Sequence, residues 1–208
     1  MLKQRVLAAA VLIPGFLLAL FYSSPLLWMG LMALGTLLAA WEWARIAGYA
    51  TPGRALYVLA VALCLLGLYF FARPESTMQA MWGIALVFWL ALVPLWLGRH
   101  WLLRRRGLLA LAGLVVLLPT WQAMVSLREH GIWLLLFLMV LVWVADIAAY
   151  VCGRLWGKHQ LAPRISPGKT WEGAAGALAG GALYALSWQA WAPADYAHLF
   201  GLTSLGLA

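Results

Sequence analysis

The run Gly131-Ile-Trp-Leu-Leu-Leu-Phe-Leu-Met-Val-Leu-Val-Trp-Val-Ala-Asp146-Ile-Ala-Ala-Tyr150-Val151 carries a single charge in 21 residues. Coiled as a helix it is about 31 Å long, enough to cross the ~30 Å hydrocarbon core of a bilayer. Six further apolar runs behave alike, at residues 6–22, 26–40, 55–72, 80–97, 108–127 and 171–191. The second is short unless Trp41 and Trp43 are counted as its interfacial end. None shows the polar–apolar alternation of a barrel strand. The chain therefore reads as an all-α, polytopic integral membrane protein of about seven transmembrane helices. It is expected to form one membrane domain over residues 1–208, with N-terminal spans in 1–130 and two more spans in 131–191 around a loop at 152–170.

Composition agrees with that reading. Of 208 residues, 66% are hydrophobic, 10% are charged and 14 are Trp, and mean hydropathy is +0.92. Soluble domains average roughly 45–50% apolar and 25% charged residues, so this chain has more apolar surface than a small globule can hide. A water-soluble enzyme, a DNA-binding domain, a disulfide scaffold and a disordered tail are excluded together. The net charge of +8 would suggest nucleic acid in a soluble protein. Here twelve of the fourteen basic residues fall at 3, 5, 45, 54, 99, 104–106, 154, 158, 164 and 169, all on one side of the seven runs, leaving Arg73 and Arg128 on the other. The positive-inside rule places that side, with the N-terminus, in the cytoplasm, and no nucleic-acid partner is expected. The first run, longer than a signal-peptide core and without a clean cleavage site, reads as an anchor. Cys64 and Cys152 lie far apart beside apolar runs, with no partner spacing. Residues 199–208, following a polar turn at Pro193, Asp195 and His198, read as the start of an eighth helix in a truncated chain.

Three features are left unexplained by topology. Asp146 is a carboxylate inside a span, which costs about 2.5–3.5 kcal/mol on insertion scales and so calls for a partner or a purpose. Helical spacing sets Asp146, Ala149, Tyr150, Gly153 and Gly157 along one small, polar stripe. A structural acid bonded to Tyr or a neighbouring helix is the plain alternative. The second feature is the loop, with Lys158, Arg164, Ser166, Pro167, Gly168, Lys169 and Thr170. Ser166-Pro167 reads as N-cap and first helical residue, which would aim a helix N-terminus, Lys169 and the Thr170 hydroxyl at phosphate. The alternative is a basic loop that only fixes topology. Gly168-Lys169-Thr170 is not a P-loop end, because the position that must be glycine is Pro163 and no strand precedes it. The third feature is Trp41-Glu42-Trp43, where Glu42 is placed to pair with Arg45 on one helix face. The Arg99–Arg106 cluster reads as a lipid-surface contact. Gly176 and Gly180 suggest close helix packing, and no histidine has ligand spacing.

Asp146-x-x-Ala149-Tyr150-x-x-Gly153-Arg154-x-x-Gly157-Lys158 and Leu161-Ala162-Pro163-x-x-Ser166-Pro167-x-Lys169-Thr170-Trp171-Glu172-Gly173 together resemble the phosphatidate cytidylyltransferase (CDP-diacylglycerol synthase) family. Trp41-Glu42-Trp43 is similar to its N-terminal half. The resemblance implies a multi-pass enzyme of a bacterial-type inner membrane, with its site facing the cytoplasm. It would condense CTP with phosphatidic acid, releasing pyrophosphate, with Mg²⁺ as cofactor and membrane lipids as partners; homo-oligomerisation stays open. Lys169 and Asp146 are the implied catalytic residues, with Asp146 also the metal ligand. Ser166, Gly168, Thr170, Lys158, Arg164, Glu172 and Tyr150 are the implied substrate-binding set. The family's acidic signature, expected further along between the last helices, has no match in these 208 residues.

Two rival classes are a small multi-span transporter and a non-catalytic membrane subunit. A carrier needs a midplane site reached from both sides, whereas the polar cluster here gathers at one surface.

Overall fold

The computed structural model describes residues 2–71, 75–98, 105–163 and 166–191. Arg73, Arg99, Arg104, Arg164 and the expected outer turn and eighth helix at 193–208 therefore lie outside the described residues. The chain divides between Glu129 and His130 into two compact units.

The first unit holds α1 (Leu2–Tyr22), α2 (Pro25–Ile46), α3 (Thr51–Phe71), α4 (Glu75–Val87), α5 (Val93–Gly98) and α6 (Arg106–His130, whose last residue falls beyond the division). Between α4 and α5, Phe88–Leu92 is π-helical, and Val93 N–H reaches back five residues to Phe88 O. The cause is local: Pro94 has no N–H to offer, and its ring crowds the preceding turn. α2 starts at Pro25, with Ser24 Oγ accepting from Leu27 N at 3.2 Å. It stops in a Schellman turn, where Gly48 N–H bonds Arg45 O, Tyr49 N–H bonds Ala44 O, and Gly48 takes φ of +83°. That left-handed position favours glycine. The core of the unit is Ala40, Ala44, Tyr57, Val61, Leu65, Leu117, Trp121 and Val125. Arg128 closes the other end, donating to Leu20 O and Ser23 O at 2.9 and 2.6 Å over the Trp28 ring.

The second unit is α7 (Ile132–Trp156), a hairpin of β1 (Gln160–Ala162) and β2 (Ser166–Thr170), and α8 (Trp171–Trp191). Phe137 and Trp188, both 1% exposed, lock the far ends of α7 and α8, with ring centroids 4.8 Å apart.

Leu38, Leu63, Phe71, Ile147 and Leu178 are each 60–81% exposed, and no polar or charged residue is buried among the described residues. In water such a surface would aggregate; in a bilayer it is the solvated one. All seven expected runs are helical, with α4, the π-helical turn and α5 forming one of them. Five stretches are long and apolar enough to cross a membrane: Pro25–Ile46, Thr51–Phe71, Thr77–Trp96, Arg106–His130 and Ile132–Trp156. In α1 the apolar stretch Ala10–Tyr22 is shorter. α8 falls outside the five because Gly and Ala fill much of its length.

Candidate functional site

α7 ends where the sequence stops favouring a helix. Gly157 caps it, donating its N–H to Gly153 O at 3.1 Å. The chain then turns back on itself, Gln160 opposite Thr170 and Ala162 opposite Ser166 in an antiparallel pair with irregular register. Pro167, Gly168 and Lys169 thus stand against Leu161 alone. A proline cannot complete a ladder, and the extra residues bulge outward, as bulges beside functional sites do. Gln160 Nε2 holds the bulge by donating to Pro167 O at 3.2 Å.

This corrects the expected start of the last long helix. Ser166 opens a strand, and α8 begins five residues later at Trp171. Ser-Pro starts a helix only where the following backbone is free to coil, and here residues 166–170 are engaged by β1. The cap is Thr170, whose Oγ1 accepts from Gly173 N at 3.1 Å. The hairpin is closed at its base by His159. Its carbonyl accepts from Trp171 N at 2.9 Å, its N–H donates to Glu172 Oε2 at 3.3 Å, and its ring Nδ1 donates to Glu172 Oε1 at 2.6 Å. Glu172 sits beside the hairpin in the first turn of α8. The ring hydrogen bond from His159, aided by backbone N–H groups, pulls its carboxyl down from 4.5 to about 2.

Glycines bring α8 onto α7. A Cβ on Gly176 would stand 2.5 Å from Cys152 Sγ, on Gly180 2.7 Å from Ala148 Cβ, and on Gly173 2.9 Å from Ala149 O. The expected close packing at Gly176 and Gly180 is therefore found, with α7 as the partner. Both cysteines are free.

Where the helices part under the hairpin lies a cavity of about 550 Å³, lined by Asp146, Ala149, Tyr150, Gly153, Arg154, Leu161, Ser166, Gly168, Lys169, Thr170, Gly173 and Ala174. The volume suits a small-molecule ligand. The structure thus brings together Asp146, Ala149, Tyr150 and Gly153 of the helical stripe and Ser166, Gly168, Lys169 and Thr170 of the loop. Lys158 is exposed outside the lining and Glu172 belongs to the clasp; Arg164 lies outside the described residues. Asp146 is exposed towards the cavity rather than packed in a core. It stands ten residues before the end of α7, about 15 Å along the axis.

Three residues were given no site role by the sequence reading. Arg154 lines the cavity and donates from its guanidinium to the Tyr150 hydroxyl at 3.2 Å. The four-residue steps Asp146–Tyr150–Arg154 were available as a signal, but Arg154 reads equally as a topology charge. Gln160 and His159 carried no local signal, since their roles depend on a hairpin partner. In the first unit, Glu42 does pair with Arg45, at 2.5 Å.

Two cations, three hydroxyls and one acid lining the cavity form a surface for phosphate. Among the described residues no three His, Cys, Asp or Glu side chains gather as a metal cage. Asp146 is the one carboxylate of the lining. Such a donor set fits a hydrated Mg²⁺ shared with phosphate oxygens, since that ion needs only one or two carboxylates.

The fold and the cavity define a multi-pass helical membrane protein with an anion-suited site where two helices meet a hairpin. Residues 3–208 match the cytidylyltransferase family, and the chain belongs to it, a family of nucleotidyltransferases. A relative from Pseudomonas aeruginosa named phosphatidate cytidylyltransferase is 41% identical over 189 residues, spanning 86% of this chain and 67% of its own length. One of the same name from Haemophilus influenzae is 32% identical over 203 residues, spanning 86% and 69%. A third, from Staphylococcus saprophyticus, is 51% identical over 51 residues, 24% of this chain and 20% of its own. No solved structure matches the chain.

Proposed function

We propose that the chain joins CTP to phosphatidic acid in a cytoplasm-facing site of the inner membrane, giving CDP-diacylglycerol and pyrophosphate. The observation that carries this reading is the shared cavity of Asp146, Arg154 and Lys169, combined with family membership.

In this reaction a phosphate oxygen of the lipid attacks the α-phosphorus of CTP and pyrophosphate leaves. Both reactants are anions, so the protein has to hold like charges together and in line. Lys169, carried outward on the bulge, and Arg154, at the end of α7, face the phosphates as cations. Ser166 adds a hydroxyl. Thr170 accepts the Gly173 N–H on its oxygen, which leaves its own proton to donate into the cavity. Tyr150 orients Arg154. Asp146 would hold Mg²⁺ on the substrate side, and that ion, when bound, supplies charge neutralisation across the triphosphate.

Purified protein in vesicles containing phosphatidic acid, given Mg²⁺ and CTP labelled at its α-phosphate, tests the proposal. Label is expected in extracted lipid, and only when phosphatidic acid is present. Label accumulating as free CTP in the vesicle lumen would instead mark a carrier, and label in neither place would count against transfer.

A further inference from the structure

The α2–α3 turn of the first unit is surrounded by arginines that the proposed reaction does not use. Arg54 Nε donates to Tyr49 O at 2.9 Å, and its guanidinium lies 5.9 Å from the centre of the Trp41 ring. Arg106 crosses from α6 so closely that a Cβ on Gly48 would be 3.6 Å from its Nε. Arg105 precedes it and is exposed. Arg45 sits on the last turn of α2, and among the described residues Glu42 is the carboxylate that pairs with it. The corner is rigid. Trp43 Nε1 donates to Leu109 O at 2.7 Å and Tyr57 OH to Ala110 O at 3.0 Å, pinning α6 to α2 and α3. Gly113 makes room, because a Cβ there would fall on both donors.

Arg54 and Arg106 thus bring like charge to adjacent residues of one turn, with Arg105 next in the chain, which is electrostatically unfavourable. The first turns of α3 and α6 contain no acid, so Arg54 and Arg106 stand at positive helix ends with nothing in those helices to offset them. Such a concentration of positive charge attracts an anion. Beside it, Ile46 and Leu56 are 77% and 67% exposed, and Trp41 lies at the end of a membrane-long helix. Charge above and apolar surface below match a lipid better than a free ion.

We propose that this corner binds the phosphate headgroup of an anionic phospholipid, through a residue set different from that of the α7–α8 cavity. The guanidiniums of Arg54 and Arg106 grip the phosphate, Arg45 and Arg105 add field, and the acyl chains lie along Ile46 and Leu56.

Native mass spectrometry of the detergent-purified protein, titrated with phosphatidic acid, phosphatidylglycerol or phosphatidylcholine, tests this. Both anionic lipids should bind about tenfold or more tightly than phosphatidylcholine. R54Q/R106Q, and separately R105Q/R106Q with its exposed positions, should weaken phosphatidylglycerol by about tenfold, while K169A retains phosphatidylglycerol. Unchanged binding in both arginine pairs would mean that the charges serve topology alone and would overturn the proposal. So would equal binding of phosphatidylcholine, or displacement of the lipid by millimolar inorganic phosphate. Loss of lipid in K169A alone would also overturn it while leaving the proposed reaction intact. Lipid binding lost only in the arginine variants of a protein without transferase activity would sustain it while the reaction failed.

Discussion

His159 and Glu172 are thirteen positions apart in the chain and 2.6 Å apart in space, the imidazole Nδ1 against a carboxylate oxygen. This contact, with the Trp171 N–H on the His159 carbonyl, joins the end of α7 to the start of α8 and so fixes the hairpin that carries Lys169. His159→Ala should loosen the hairpin without unfolding the helices. Amide exchange across 158–170 is expected to rise several-fold while exchange in the middle of α7 stays as it was.

The clasp has a pH signature on its acid side. Glu172 is held at about 2, against an ordinary 4.5. A carboxyl depressed in the folded state contributes fully above its unfolded value and is lost as pH falls through the folded one. Hairpin protection from Glu172 should therefore be constant above about pH 5 and decline between 4.5 and 2. Glu172→Gln should remove that acid-side decline. Persistence of the decline in the variant would assign it to another group.

Thr170 and Ser166 separate two accounts of how α8 begins. Thr170→Ala should destabilise the second unit by about 1 kcal/mol, the ordinary worth of an N-cap, with Thr170→Ser nearly neutral. Ser166→Ala should leave thermal stability unchanged and act on substrate affinity alone. The reverse pattern would restore the start at Ser166.

Glycine substitutions in the second unit should be graded by the space each has. Gly176→Val, driven into Cys152, is expected to cost about 1–3 kcal/mol. Gly181→Ala, whose nearest neighbour is a Leu141 methyl at 3.4 Å, should be mild, and Gly168→Ala, with nothing within 4 Å, should leave the melting temperature alone. Thermal melts of the three variants in one detergent check the order.

Hydropathy made the helices legible because each long run had to satisfy its own backbone in lipid, and a single sequence carries that constraint. The stripe through Asp146, Tyr150 and Gly153 was legible for the same reason, since helical spacing needs no partner. The hairpin was not. Ser166-Pro167 carries a true local start signal, and only pairing with Gln160–Ala162, a non-local event, overrides it. Arg154 was hidden by its double meaning, as topology charge and as cavity cation. His159 was hidden because a clasp exists only once both its ends are placed.

The proposed place of cytidylyl transfer is the cavity lined by Asp146 and Lys169. Its most direct test is the rate at which α-phosphate label passes from CTP to lipid in the protein and its Asp146→Asn and Lys169→Ala variants, each checked for an unchanged circular dichroism spectrum. Each substitution is expected to slow transfer by about a hundredfold or more, as the loss of one charge-stabilising group does elsewhere. Transfer at the parental rate in both variants would contradict it.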